Sequence, residues 1–269
     1  MRCKSYLIFS VIFLIAACSS NKYAATNRSY KKQAKALSKQ IRKTPVNNIS
    51  PVFSPWVGTT NFGLRKPNFV IIHHTAQNSC DQTYRTFTLP RTQVSAHYVI
   101  CKDGTIQHML NDNLRAWHAG SGSWGNDKDI NSSSIGIELD NNGFESFSTA
   151  QINSLLTVLD TLKSKYRIPA ANFIGHAEIA PTRKVDPNAT FPWQLLSQKG
   201  FGLWYDDTTT IAVPENFNNL LALRVIGYSI KDSSAAIRAF KRHFAIHDST
   251  DIINEGDQKI LYNLMLKYE

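Results

Sequence analysis

The chain has 269 residues, enough for one substantial domain and a small second one. Its formal charge of +10 sits on one arm, because residues 19–50 carry eight Lys or Arg and no acid while residues 51–269 carry twenty of each sign. A basic nucleic-acid-reading face is therefore disfavoured, since such a face spreads its charge over a folded domain.

The chain opens with Arg2 and Lys4 and continues into a largely apolar run over 6–17. That run is too short to span a bilayer and has the length of a signal peptide. Ile15-Ala16-Ala17-Cys18 resembles a bacterial lipobox, in which the cysteine is lipidated and becomes the mature N-terminus. Ser19 after it resembles the lipoproteins that a Gram-negative cell sends to its outer membrane. Residues 1–18 are expected to be this signal. Residues 19–50 have little to bury and read as a solvated basic tether, whose coil would reach on the order of 30 Å. Within it Ala34, Leu37 and Ile41 fall at helical spacing among lysines, a pattern that suits an anionic membrane surface.

The main domain is expected over 51–205. Phe69-Val70-Ile71-Ile72 runs uninterrupted into His73-His74, which predicts a buried strand ending in chemistry. Successive strand residues point to opposite faces, so only one of the two histidines can serve a given site. A second strand is predicted over 92–100, followed by an Asp103-Gly104 turn and a hairpin partner over 106–110. Ser134-Ile135-Gly136-Ile137-Glu138-Leu139-Asp140 alternates, placing Ile135, Ile137 and Leu139 on one face. A helix is predicted over 148–166, opened by Ser148 and Gln151 at capping-box spacing and striped by Ile152, Leu155, Leu159 and Leu162. Asn172-Phe173-Ile174-Gly175-His176 repeats the pattern of a short strand ending in histidine, and Asp186 follows in a loop. Strands interleaved with helices, with at least one hairpin, predict an α/β domain with a mixed sheet.

Two strands that each deliver a histidine, with an aspartate downstream, can assemble a three-ligand metal site with one open position. Other signatures are missing. There is no His-Glu-x-x-His and no Gly-x-Ser-x-Gly, and His176-Ala177-Glu178 lacks the Pro-Cys-x-x-Cys partner of a deaminase. Cys80 and Cys101 remain in the mature chain outside any Cys-x-x-Cys motif; an oxidising compartment permits their pairing, and sequence alone leaves it open.

Together, Val70-Ile71-Ile72-His73-His74-Thr75-Ala76, Val94-Ser95-Ala96-His97-Tyr98, Ala116-Trp117-His118-Ala119-Gly120, Ser134-Ile135-Gly136-Ile137-Glu138-Leu139 and the stretch from His176 through Lys184 to Asp186-Pro187 carry a resemblance. They resemble, in order, the motifs of the zinc-dependent N-acetylmuramoyl-L-alanine amidases of the type-2 family. The resemblance implies a mixed β-sheet flanked by helices and one catalytic Zn2+ held by His73, His176 and Asp186. It implies Glu138 as acid and base, Lys184 as the group that steadies the oxyanion, and His74 beside the site but off the metal. His74, His97, Trp117 and His118 are expected along the substrate cleft. Ala96 departs from relatives that carry a catalytic tyrosine there, which leaves more of the proton transfer to Glu138.

The last module, 206–269, shows helical stretches over 217–223, 233–244 and 257–268 and resembles the small all-α three-helix peptidoglycan-binding domain that accompanies such amidases. A helical bundle packed on the main domain for stability is the alternative, since fewer than about 70 residues rarely stand alone. The expectation is a monomeric, periplasm-facing outer-membrane lipoprotein that hydrolyses the bond between the lactyl group of N-acetylmuramic acid and the stem peptide's L-alanine. Its partners would be peptidoglycan or muropeptides and, through Cys18, a membrane, with no nucleic acid. The alternatives are a peptidoglycan-binding protein without catalysis and a zinc peptidase acting on the stem peptide.

Overall fold

A computed structural model describes residues 22–42, 59–64, 66–246 and 248–268. The signal, Cys18, Ser19 and the expected start of the main domain at residue 51 lie outside the described residues. The chain divides into two compact units, Met1–Phe62 and Gly63–Glu269.

In the first unit the described element is helix α1, Ala24–Ile41. The coil expected of the tether is corrected over these residues. Tyr30, Ala34, Leu37 and Ile41 recur every three or four positions, and the intervening lysines and alanines are good helix formers.

The second unit is built on a five-stranded sheet in the order β3-β2-β4-β1-β5. Its strands are β1 Phe69–His74, β2 Tyr98–Ile100, β3 Ile106–His108, β4 Ser134–Leu139 and β5 Phe173–Gly175. All neighbours are parallel except the β2–β3 hairpin, so the sheet is mixed. The helices are α2 Cys80–Thr88, α3 Ile130–Ser133, α4 Thr149–Tyr166, α5 His176–Ile179, α6 Trp193–Gln198, α7 Asn219–Ile226, α8 Ser233–Phe244 and α9 Glu255–Tyr268.

The uninterrupted apolar runs of β1 and β4 are those of strands covered on both faces, and alternation sorts them into two cores. Val70, Ile72, Ile135, Ile137 and Leu139 pack with Ile152, Leu155, Leu159 and Leu162 of α4. Ser148 caps α4 as its spacing predicts, accepting from the Gln151 N–H at 3.1 Å. Ile71 and Ile174 enter the second core with Ile179 of α5, Ala222 and Leu223 of α7, Phe240 of α8 and Leu261 and Leu264 of α9. The change of architecture near residue 206 is therefore not a break in the core. The C-terminal helices close one face of the sheet.

Two local features differ from expectation. The strand predicted over 92–100 is extended only at Tyr98–Ile100. Pro90–Thr92 forms a 3-10 turn, and Gln93 sits at φ +52°, a left-handed conformation that stops a ladder. Helix α2 was not anticipated, although Ser79 and Gln82 carry its start signal, with Ser79 Oγ accepting from the Gln82 N–H at 3.3 Å. The question left open by the cysteines is resolved: Cys80 and Cys101 form a disulfide with Cα atoms 5.6 Å apart, tying the first turn of α2 to the end of β2.

Candidate metal centre and active site

The parallel strands deliver their polar residues to one end of the sheet, as open α/β sheets do. His73 is the fifth residue of β1 and stands in register with Glu138 of β4. His176 opens α5 directly after β5. Asp186 returns from the following loop, held by the Ala177 N–H donating to its carbonyl at 2.7 Å.

These three residues converge. His73 Nδ1 and His176 Nδ1 are 2.9 Å apart, and each is 3.0 Å from Asp186 Oδ2. All three side chains are buried. His176 Nε2 lies 3.0 Å from the Ala119 carbonyl oxygen. A carbonyl only accepts, so the neutral ring carries its proton on Nε2 and turns a lone pair inward from Nδ1. Burial, reinforced by His176, pushes His73 down to about 4, so this ring is neutral at physiological pH. Two imidazoles and a carboxylate facing one point form an electron-rich triangle that a divalent cation would satisfy. The N/N/O set is one that catalytic zinc takes while keeping an open position.

The triangle lines a cavity of about 390 Å³ together with His74, Trp117, His118, Glu138 and Lys184. Glu138 is only 9% exposed, and its Oε2 has no hydrogen-bond partner among the described residues. Burial first, then the charge of Asp186, pushes its carboxyl up to about 8, with Lys184 pulling the other way. A carboxyl so placed exchanges protons near neutral pH, as general acid and base work requires. Trp117, half exposed, stands with Val94 and Val185 as an apolar lip at the mouth. Ala96 is fully buried and has no proton to offer.

The histidines expected along the cleft separate. His74 lines the cavity, and its Nδ1 accepts from the Asn188 N–H at 3.1 Å, which fastens the loop after Asp186. His97 is corrected: it is fully buried away from the cavity, its Nε2 donating to the Leu114 carbonyl at 2.9 Å and its Nδ1 accepting from the Gly136 N–H at 3.0 Å. It holds backbone together and cannot touch substrate. His118 borders the cavity, yet both ring nitrogens are engaged by the protein, Nδ1 with His73 Nε2 at 3.0 Å and Nε2 with Ser134 Oγ at 3.1 Å.

Sequence reasoning missed Asn131, Ser134 and Arg183. Asn131 Oδ1 accepts from the N–H groups of His118 and Ala119 at 3.0 and 2.9 Å, and Arg183 Nη2 donates to the carbonyls of Ala119 and Ser121. Arg183 stands beside Lys184 in a motif already singled out. Asn131 had no signal beyond its polarity.

Comparison with known proteins agrees with this geometry. Residues 63–189 match the family described as N-acetylmuramoyl-L-alanine amidase. The N-acetylmuramoyl-L-alanine amidase AmiD of Escherichia coli is 34% identical over 206 residues, covering 65% of this chain and 74% of that protein. A solved complex of AmiD from Escherichia coli with the substrate anhydro-N-acetylmuramic acid-L-Ala-D-gamma-Glu-L-Lys has a TM-score of 0.70 at 30% identity, covering 78% of this chain and 93% of that one. The crystal structure of AmpDh3 from Pseudomonas aeruginosa has a TM-score of 0.70 at 27% identity, covering 84% and 99% of the two chains. The chain belongs to the N-acetylmuramoyl-L-alanine amidase family.

Proposed function

We propose that this chain is a zinc-dependent amidase of cell-wall turnover that hydrolyses the amide between the lactyl group of N-acetylmuramic acid and L-alanine of the stem peptide. The observation that carries the reading is the buried triangle of His73, His176 and Asp186 in one cavity with Glu138, whose Oε2 has no hydrogen-bond partner among the described residues. A zinc ion held by the triangle would polarise the scissile carbonyl and lower the pKa of a water toward about 7. Glu138 Oε2 would accept a proton from the attacking water as the water oxygen adds to the carbonyl carbon, and return it to the nitrogen of L-alanine as the C–N bond breaks. Lys184 places a positive charge beside the carbonyl oxygen as negative charge develops there. Trp117, Val94 and Val185 supply an apolar lip against which a muropeptide is held, and His74 braces the loop that bears Asp186.

Digestion of purified sacculi with mass analysis of the products tests the reaction. Release of intact stem peptides beginning at L-alanine is expected. Shortened stem peptides would identify a peptidase, and binding without products a non-catalytic protein.

We further infer a monomeric lipoprotein anchored through Cys18 in an outer membrane and facing the periplasm. The Cys80–Cys101 disulfide supports an oxidising compartment. Cys18→Ala should leave the membrane fraction while keeping turnover of a soluble muropeptide. Persistence in that fraction would refute lipidation as the anchor.

A further inference from the structure

Sequence placed His118 along the substrate cleft, but its surroundings point to another task. We propose that His118 is a positioning residue that, with Ser134, fixes which nitrogen of His73 is free to bind the metal. The proposal rests on the metal reading given above and extends it to a pair of residues outside the ligand set, whose polar side-chain atoms are engaged by the protein itself.

The inference comes from following hydrogen-bond polarity inward from a group that can only accept. The Ile130 carbonyl accepts from the Ser134 hydroxyl, which spends the only proton that Ser134 has. The oxygen of Ser134 therefore accepts from His118 Nε2, 3.1 Å away. A neutral His118 with its proton on Nε2 has a lone pair on Nδ1. That lone pair faces His73 Nε2 at 3.0 Å, so His73 donates from Nε2. A neutral His73 protonated on Nε2 turns an unprotonated Nδ1 toward His176 and Asp186. Reversing any link moves the His73 proton onto Nδ1, into the triangle, where it would occupy the lone pair that a cation needs.

The rest of the fold holds the His118 ring in this pose. Its own N–H and that of Ala119 are clamped by Asn131 Oδ1. The ring stands edge-on to His73, with centroids 5.1 Å apart and planes at 84°. It lies flat on Gly136 of β4, where an added Cβ would meet His118 Cγ at 2.4 Å, so no other residue at 136 leaves room for the ring. Ser134, Gly136 and Glu138 alternate on one face of β4. One strand thereby supplies the end of the relay, the seat of its middle residue and the proposed base. The two imidazoles are fixed unequally. His176 meets a backbone carbonyl directly, whereas His73 depends on a chain of two side chains. Outer-shell partners of metal-bound histidines typically contribute about 10–100-fold in metal affinity.

The test uses the whole mature chain and two readouts besides turnover. Zinc affinity is measured by chelator competition, and the tautomer of His73 is read by 15N–1H NMR of the metal-free, histidine-labelled protein. His118→Leu removes the acceptor and should weaken zinc by about 10–100-fold, with His73 shifting toward Nδ1–H. His118→Asn, whose Oδ1 stands in for Nδ1, should recover most of the affinity and keep His73 on Nε2–H. Ser134→Ala leaves the His118 ring in place and frees its proton. It should give mixed His118 and His73 tautomers and an intermediate affinity, and it serves as the deciding variant should His118→Leu fail to fold. Unchanged tautomers and zinc affinity in Ser134→Ala, or equal losses in His118→Leu and His118→Asn, would overturn the relay. Failure of the metal reading would look different: the wild-type chain would then take up no zinc, while the tautomers of the metal-free protein would still report on the relay.

Discussion

Removal of the chain after Tyr205 should unfold the amidase, not merely weaken its grip on cell wall. The face of the sheet that bears His73 is covered by α7, α8 and α9. Ile71, Trp124, Ile130, Ile174 and Ile179 are buried in the core they share with Ala222, Leu223, Phe240, Leu261 and Leu264. At about 1.5–3 kcal/mol for each large apolar side chain returned to water, those five alone amount to roughly 8–15 kcal/mol. Residual compactness of an unfolded chain reduces such figures by about 10–40%, which still leaves a value comparable with a typical total stability of about 5–15 kcal/mol. The same cut strips the buried Glu178 of the Tyr228 hydroxyl at 3.3 Å and of His243 Nδ1 at 3.0 Å, and Glu178 holds the Gly175 N–H at the start of α5, which bears His176. The assay is thermal melting by circular dichroism with zinc content measured in parallel. The chain truncated after Tyr205 is expected to show no cooperative transition and no bound zinc. A fragment that melts cooperatively near the parent temperature, holds zinc and cleaves a soluble muropeptide would refute the reasoning, and would make these helices an independent module.

Glu138→Gln should keep zinc and lose about two to four orders of magnitude in turnover, since it removes a base and no metal donor; loss of zinc with this substitution would make Glu138 a ligand. Asp186→Ala should lose zinc and activity together, leaving two imidazoles, with metal analysis as the check. In the metal-free protein Glu138 also predicts a pH dependence. Its folded value is raised from 4.5 to about 8, so the folded state holds a proton that the unfolded state has released, and the stability this contributes is complete below 4.5 and is lost as pH rises through about 8. Melting temperatures of wild type and Glu138→Gln, both metal-free, should diverge across that interval, with wild type falling further; parallel curves would refute the assignment. Lys241 is fully buried and pairs with Asp257 at 2.9 Å and Asp248 at 2.6 Å. Lys241→Met should cost about 3–5 kcal/mol by stranding the Asp257 charge, read as a drop in urea midpoint.

What was legible in the sequence followed from short-range rules. The run Val70-Ile71-Ile72 and the alternation of Ile135, Ile137 and Leu139 give β1 and β4 because a strand covered on both faces leaves little choice of residue. The Ser148 cap and the leucine stripe give α4 to within a residue or two. What was not legible depends on pairing between distant segments. The segment before Tyr98 looks as extended as a strand, yet Ser95 donates its N–H to Trp117 in the loop beside the site, and bonding to β4 begins only where the His97 N–H donates to the Gly136 carbonyl. For the same reason His97 and His118 could not be told apart. Both are histidines in the quoted motifs, and only the fold directs one ring at Leu114 and the other at His73.

The parity of the strands joins these points. His73 and Ile71 lie on one face of β1, and Ser134, Gly136 and Glu138 lie on the matching face of β4, with His73 and Glu138 in direct register. A slip of one residue in either strand would exchange every one of these side chains for Val70, Ile72, Ile135, Ile137 or Leu139. The site is thus specified by the register that builds the two cores. The face that carries chemistry at its C-terminal end carries, one turn of the pleat earlier, the isoleucines buried by the C-terminal helices. Packing on that face and placement of the triangle rise or fall together, so core substitutions far from the cavity, Phe240→Ala among them, should lower zinc content in step with melting temperature, whereas substitutions on the exposed lip at Trp117 should change substrate binding and neither of the other two.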